Sequence, residues 1–398
     1  MPTPMGGEVR TRSTAGWAAW LVAALALVAP TAGAFKLRPL GTDFDRALAR
    51  LDEPGVGRLL DEVVRLGVEL LAEPVHEEIT HRAFLCDGQG ASMDCAKQPS
   101  RRPRAPEAVL YGVHWNDNPP FQIKSTDGNR PAGLPASCLN QVIRIPRLVK
   151  DCWLPIYQSS ERRAASRSYS ARNGSWLIQR THFGDLQFLH SMAAHPAEDA
   201  QTTQDNVLAW ARFAFGVYRE EFGGDDFLAR CPATMRGCRL VGLPRIAAWF
   251  PGEMTVADLF TQGDETYRGN LREVALGSLL HLVQDSFSEA HVVRSSNQQN
   301  RPCGPAEHQW RSAATIQLFQ TYGAQDSGRH AQRDAARAFG RGLLTFTPNV
   351  VEVATRVRTL MQDAPDWPVV ERYLRECVFV VEDPTAQSGS HPDIERAD

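Results

Sequence analysis

The chain lacks the signatures that most hydrolases and nucleotide-binding proteins carry. It has no GxSxG elbow, no GxxxxGK[ST] loop and no HExxH helix, which leaves no sequence support for a serine nucleophile, a P-loop or a zincin helix. Its eight cysteines include no CxxC pair, so a thiolate zinc site is not indicated. A net excess of positive charge is also absent. The formal net charge is -3, without the basic excess that duplex-binding proteins use, so duplex nucleic acid is not an expected partner.

Long apolar runs are confined to the beginning. Arg10 and Arg12 precede an apolar run from Ala15 to Val28, followed by Pro30 and Ala32-Gly33-Ala34. That is the order of a secretory signal peptide, residues 1–34, cut before Phe35. The run is shorter than the ~20 residues a bilayer core requires, so no stable membrane anchor is expected and the mature chain should be secreted or periplasmic. Cleavage removes two positive charges and one negative (Arg10, Arg12, Glu8) and takes the net charge from -3 to -4. In such a compartment the cysteines read as disulfide-closed loops, pairing Cys86 with Cys95, Cys138 with Cys152 and Cys231 with Cys238, and leaving Cys303 for Cys377.

What is present is helical periodicity. Apolar residues recur at three- and four-residue steps in residues 44–71, 77–85, 207–222, 256–260, 272–293, 314–322, 330–344 and 350–361, the pattern of amphipathic helices. Runs rich in Pro, Gly, Asn and Arg, such as residues 98–106 and 119–135, read as loops. The expected fold is all-α: a helical N-terminal extension over 35–75, then one multi-helix domain over 76–381 with long disulfide-closed loops. Residues 382–398 have the composition of a disordered tail.

The candidate chemistry lies in histidine and aspartate spacing. In the segment 277–291 His281 and Asp285 are four apart, on one helical face, and His291 follows six residues later, past a bend; such a pair can bind one metal. Gly277, one turn earlier, would keep that face open. His330 and Asp334 repeat the four-residue spacing, and two helices that each offer an imidazole and a carboxylate can build a site inside a bundle. His76 begins a helix that continues through Ile79-Thr80, Asp117 precedes Pro119-Pro120, and His182 lies in Thr181-His182-Phe183. Taken singly, each of these is as well explained by a cap, a turn or a core histidine. His190 and the weaker His195 compete with His182, and His308 competes with His330.

This order of motifs, from His76 to Asp334, is similar to the superfamily of trinuclear zinc phosphoesterases that unites zinc-dependent phospholipase C with the single-strand-specific zinc nucleases. The HxxxDx5H spacing is its most specific part. The resemblance implies two or three zinc ions in a cleft between helices: one held by Asp117, His182, His281 and Asp285, one by His291, His330 and Asp334, and a third by His76 with a shared Asp285. It also implies hydrolysis by a metal-bound hydroxide oriented by Asp117, on a small phosphoester or a phospholipid headgroup. The chain departs from the family at its amino end, where residues 35–75 separate His76 from the amine that members give to the third zinc. A zinc nuclease and a non-catalytic helical zinc protein are the alternatives.

Overall fold

A computed structural model describes residues 75–85, 105–143 apart from 129 and 132, 149–295 apart from 165 and 167, and 299–395 apart from 335 and 365. The expected signal peptide, the expected helices of residues 44–71 and the expected Cys86–Cys95 pairing fall outside the described residues.

The fold is mainly helical and is organised around α9 (Leu271–Asp285), buried at every position from Val274 to Asp285. A helix apolar nearly all round belongs in an interior, and its few polar groups are therefore placed for a reason. On one side α2 (Glu107–Trp115) crosses it at close range. Two glycines permit the approach: a Cβ on Gly112 would lie 2.1 Å from the Val274 carbonyl oxygen, and one on Gly277 would lie 2.1 Å from that of Val109. Gly277 therefore does not open a metal-facing surface, as its position before His281 suggests, but makes room for the neighbouring backbone. On another side α5 (Ala200–Tyr218), capped by Asp199 on the Thr202 amide, packs its Trp210 into the core and donates from Nε1 to Ser278 Oγ at 3.0 Å. The first helix, α1 (Val75–Leu85), is held against α12 (Val350–Asp363), whose Arg358 Nε donates to the Ala83 carbonyl at 3.2 Å.

Helices α3 (Leu154–Glu161) and α4 (Leu177–Phe183) form a second apolar cluster with Tyr157, Ile178 and Phe183. Among the described residues three short antiparallel ladders accompany the helices, so the fold is not purely α. Phe121–Gln122 pairs with Val142–Ile143, Val292–Ser295 with Thr315–Phe319, and Pro302–Cys303 with Trp310–Arg311. Two of the expected helices are thereby corrected. The run 272–293 stops being helical at Asp285 and re-emerges as a strand, and residues 315–319 are its partner. Both are short runs with β-branched residues (Val292, Val293; Thr315, Ile316), where helical and strand periods cannot be told apart. The run 330–344 divides into α10 (Ser327–Arg333) and α11 (Ala336–Thr345).

Cys138–Cys152, Cys231–Cys238 and Cys303–Cys377 are disulfide-bonded as the spacing suggests. Among the described residues no helix is long and apolar enough to cross a membrane. The expectation of a disordered tail is not met for residues 382–395. They lie on the body, with Ala200 N donating to Ala386 O (2.9 Å), Thr321 N to Gly389 O (2.9 Å) and Asp326 N to Ile394 O (2.8 Å). Burial of Ile394 and these backbone bonds supply what the polar composition alone does not.

Candidate metal centre

The expected ligands are delivered to one interior region by six different elements. His76 comes from α1, Asp117 from the turn after α2, His182 from α4, His281 and Asp285 from α9, His291 from the turn after α9, and His330 and Asp334 from α10 and its C-cap. Local bonds fix the non-helical members. Asn116, next to Asp117, donates from Nδ2 to Leu189 O (2.8 Å) and accepts from Ser278 Oγ (2.6 Å), tying the turn to α9. Ser288 Oγ donates to Asp334 Oδ1.

Five rings are oriented alike. The Nδ1 of His76 faces Gln284 Oε1 (2.6 Å), that of His182 Ile178 O (3.1 Å), that of His281 Val113 O (2.7 Å), that of His291 His190 O (2.7 Å), and that of His330 Gln325 Oε1. All five partners are carbonyl-type acceptors, so each Nδ1 carries a proton and each Nε2 is turned towards the carboxylates of the cluster. That is the tautomer metal-binding histidines adopt when an outer partner orients them.

The lone pairs converge on carboxylates in two adjoining compartments. In the first, Asp285 Oδ1 lies 3.2 Å from His76 Nε2, and its Oδ2 lies 3.0 Å from His281 Nε2 and 2.9 Å from His190 Nδ1. Asp117 Oδ1 lies 3.6 Å from His190 Nδ1, 3.8 Å from His182 Nε2 and 3.9 Å from His281 Nε2. In the second, Asp334 Oδ2 lies 2.8 Å from His330 Nε2 and 3.6 Å from His291 Nε2. Four groups of three donors can be drawn from these residues, each with its atoms within 4.8 Å of one another: His76, Asp117 and His281; Asp117, His182 and His190; His190, His281 and Asp285; His291, His330 and Asp334. Donors about 2.0–2.1 Å from a tetrahedral zinc would lie about 3.3 Å apart, the middle of the observed range.

The hydrogen-bond accounting agrees. Both oxygens of Asp117, Oδ2 of Asp334 and Nε2 of His190, His291 and His330 are buried without a well-directed hydrogen bond. Such orphans are rare and costly unless something else satisfies them. The residues could therefore hold a metal ion through nitrogen and carboxylate ligands.

Charge is distributed unevenly. Burial, with Asp285, Asp334 and Glu77 nearby, pushes the Asp117 carboxyl well above the carboxylate range. Burial also raises Asp285, but His281, His291 and His76 outweigh it and hold that carboxyl well below; Asp334 is lowered in the same way by His330 and His291. Burial lowers His182 and His190 and takes His281 down to about 3. Burial opposes ionisation of His291 too, yet Asp285 and Asp334 raise it to about 9.

All eight expected ligands are brought together. His190, weighed only as an alternative to His182, stands beside it in the cluster. His308 is exposed and stacked on Trp310 (ring centroids 4.2 Å apart), and His195 is exposed against Glu198, so neither competes. Gln284, Gln325, Ser288 and Asn116 were not singled out from the sequence, although Gln284 adjoins Asp285 and Asn116 adjoins Asp117.

Compared with known proteins, the chain matches no family model, no curated protein and no solved structure.

Proposed function

We propose that this chain is an exported zinc-dependent phosphoesterase, phospholipase C-like, that hydrolyses a small phosphodiester or phospholipid headgroup ester. The observation that carries the reading is the convergence of nine buried histidines and aspartates, five of the rings holding Nδ1 on a carbonyl-type acceptor with Nε2 left for a cation. His76, His182, His190, His281, Asp117 and Asp285 would hold ions in the first compartment, and His291, His330 and Asp334 in the second. Zinc so bound supplies a Lewis acid for phosphoryl oxygens and lowers the pKa of water to about 7.

The chain's own residues do the rest. Asp117, with Oδ1 3.6 Å from His190 Nδ1 and 3.8 Å from His182 Nε2, would offer a carboxylate that both helps to hold an ion and orients an attacking water. Asp285 stays ionised and keeps His76, His190 and His281 gathered on its two oxygens. Gln284 and Gln325 hold the outer rings in register.

The test pairs metal content of the purified protein with turnover of bis-para-nitrophenyl phosphate, with and without chelator. Two or three zinc ions with chelator-sensitive turnover are expected, and Asp117→Asn should weaken zinc binding in the first compartment and lower the turnover with it. A chain that takes up no zinc on refolding with it would overturn the reading. Comparison of a headgroup ester with a single-stranded oligonucleotide then separates phospholipase-like from nuclease-like activity.

One observation favours a second reading, a non-catalytic zinc protein: every ligand side chain is buried, with residue exposures of 0 to 5 %. Full zinc occupancy with no phosphoesterase turnover would decide for it.

A further inference from the structure

We propose that the disulfide-closed loop Cys231–Cys238, together with Leu240 on its outgoing arm, docks the protein on an anionic lipid surface. The inference does not depend on the metal centre or on hydrolysis.

Charge of one sign is concentrated here. From Phe227 to Gly252 the sequence places Arg230, Arg236, Arg239 and Arg245 and no aspartate or glutamate, in a chain whose 46 acids outnumber its 43 lysines and arginines. Arg236 is exposed and has no ion pair among the described residues. Arg239 faces Asp226 at 3.7 Å and gives one nitrogen to Glu221 O at 3.0 Å, and Arg230 faces Glu253 at 4.0 Å; the two arginine side chains are 67 and 71 % exposed. Exposed pairs at such distances contribute little, so these guanidinium groups stay available to lipid phosphates. Arg245 is committed to Asn206 and Asp205 on α5 and is left out of the surface.

Large apolar side chains stand out at the same place. Four are exposed among the described residues, and two of them, Met235 and Leu240, each 51 % exposed, belong to this loop and its arm. Leu85 and Leu344 stand alone on α1 and α11, as single surface apolar residues commonly do. The pair has not slipped from the core, because the stem beneath it is paired. Phe227 N donates to Arg239 O (2.8 Å), Val241 N to Phe227 O (2.9 Å), and Met235 N closes the tip turn on Pro232 O (3.0 Å). Val241 is buried, so the alternation of an extended chain turns Leu240 outward. With the Cys231–Cys238 bond closing it, the loop presents both side chains with little ordering left to do on contact. An anionic membrane matches this layering: phosphates at the depth of the arginines, and acyl chains below them for Met235 and Leu240.

Protein recovered after export is sedimented in the cold with vesicles of phosphatidylcholine alone, or of equal parts phosphatidylcholine and phosphatidylglycerol. Binding is expected only to the second, weakening as salt is raised. Arg236→Gln should lower the affinity about fivefold, the share of one cation near an anionic surface. Met235→Ser combined with Leu240→Ser should lower it more than about tenfold, with the urea unfolding midpoint unchanged because both side chains are exposed. The variants keep the same amino end as the wild type, so the comparison separates this loop from any remnant of the apolar run 15–28. No binding to anionic vesicles, equal binding to both compositions, or undiminished binding by the Met235 and Leu240 double variant would overturn the proposal. So would a concentration-dependent dimer in gel filtration that the double variant abolishes, which would assign the surface to a second copy of this chain.

Discussion

The two compartments use the same two residue types and are supported in different ways. Around Asp285, ligands are carried on or beside α9, with α2 pressed against it at Gly112 and Gly277, and Val113 O directly orienting His281. Around Asp334, the ligands belong to a turn and a seven-residue helix. What steadies them is peripheral: Ser288 on Asp334, Gln325 on His330, and the C-terminal segment, which reaches the N-cap Asp326 through Ile394 O and Arg333 through Asp393. One compartment is an extension of the core; the other is assembled late in the chain against it. Their charge states differ as well, with His281 held neutral and His291 held protonated near neutral pH.

The sharpest way to break this comparison is to neutralise the two carboxylates of the first compartment in chelated protein. Asp285→Asn removes the charge that buried histidines depend on, and a loss of about 3–5 kcal/mol is expected by urea unfolding. Asp117→Asn should cost under about 1 kcal/mol, because that carboxyl is pushed towards its neutral form by burial. Equal losses would mean the asymmetry is not real. Next in size, Gly277→Ala places a methyl against the Val109 carbonyl and should destabilise by about 1–3 kcal/mol, as overpacking does, with the loss falling on first-compartment metal affinity rather than second. Gln325→Met should do the reverse, weakening the second-compartment metal about 10–100-fold and sparing the first; competition titration with a chromophoric chelator reads both.

The compartments should also differ in their response to pH. His291, with its folded value raised to about 9, stabilises the metal-free protein fully below the unfolded value near 6.5 and loses that contribution as pH rises through 9. His281, lowered to about 3, behaves oppositely: its contribution is complete above 6.5 and is lost as pH falls towards 3. These two groups together place an optimum near about pH 6.5 for metal-free protein. Metal entry at His291 must displace a proton, so second-compartment affinity should rise about tenfold per pH unit up to about 9.

Much of this was legible in the sequence because the ligand spacing is local. His281 and Asp285, and His330 and Asp334, need only one helical turn each to be aligned. The position of His190 was harder to read, because its approach depends on a left-handed residue at Ser191 and on tertiary bonds to α9 and Asn116, none of which leaves a periodic trace. Gly277 was misread for a related reason: a missing side chain looks the same in sequence whether it clears space for an ion or for a neighbouring backbone. The tail shows the limit of composition, since residues 382–395 are polar yet find partners on the body.

The near-complete burial of the cluster bears on how ions would reach it. Rings pinned at Nδ1 by core carbonyls are poorly placed to swing outward to meet a cation, so ions bound there would have to be captured while the chain is still closing. Order of addition then matters: protein refolded with zinc present should be fully loaded at once, whereas the same protein folded first and given zinc afterwards should load only as fast as it opens.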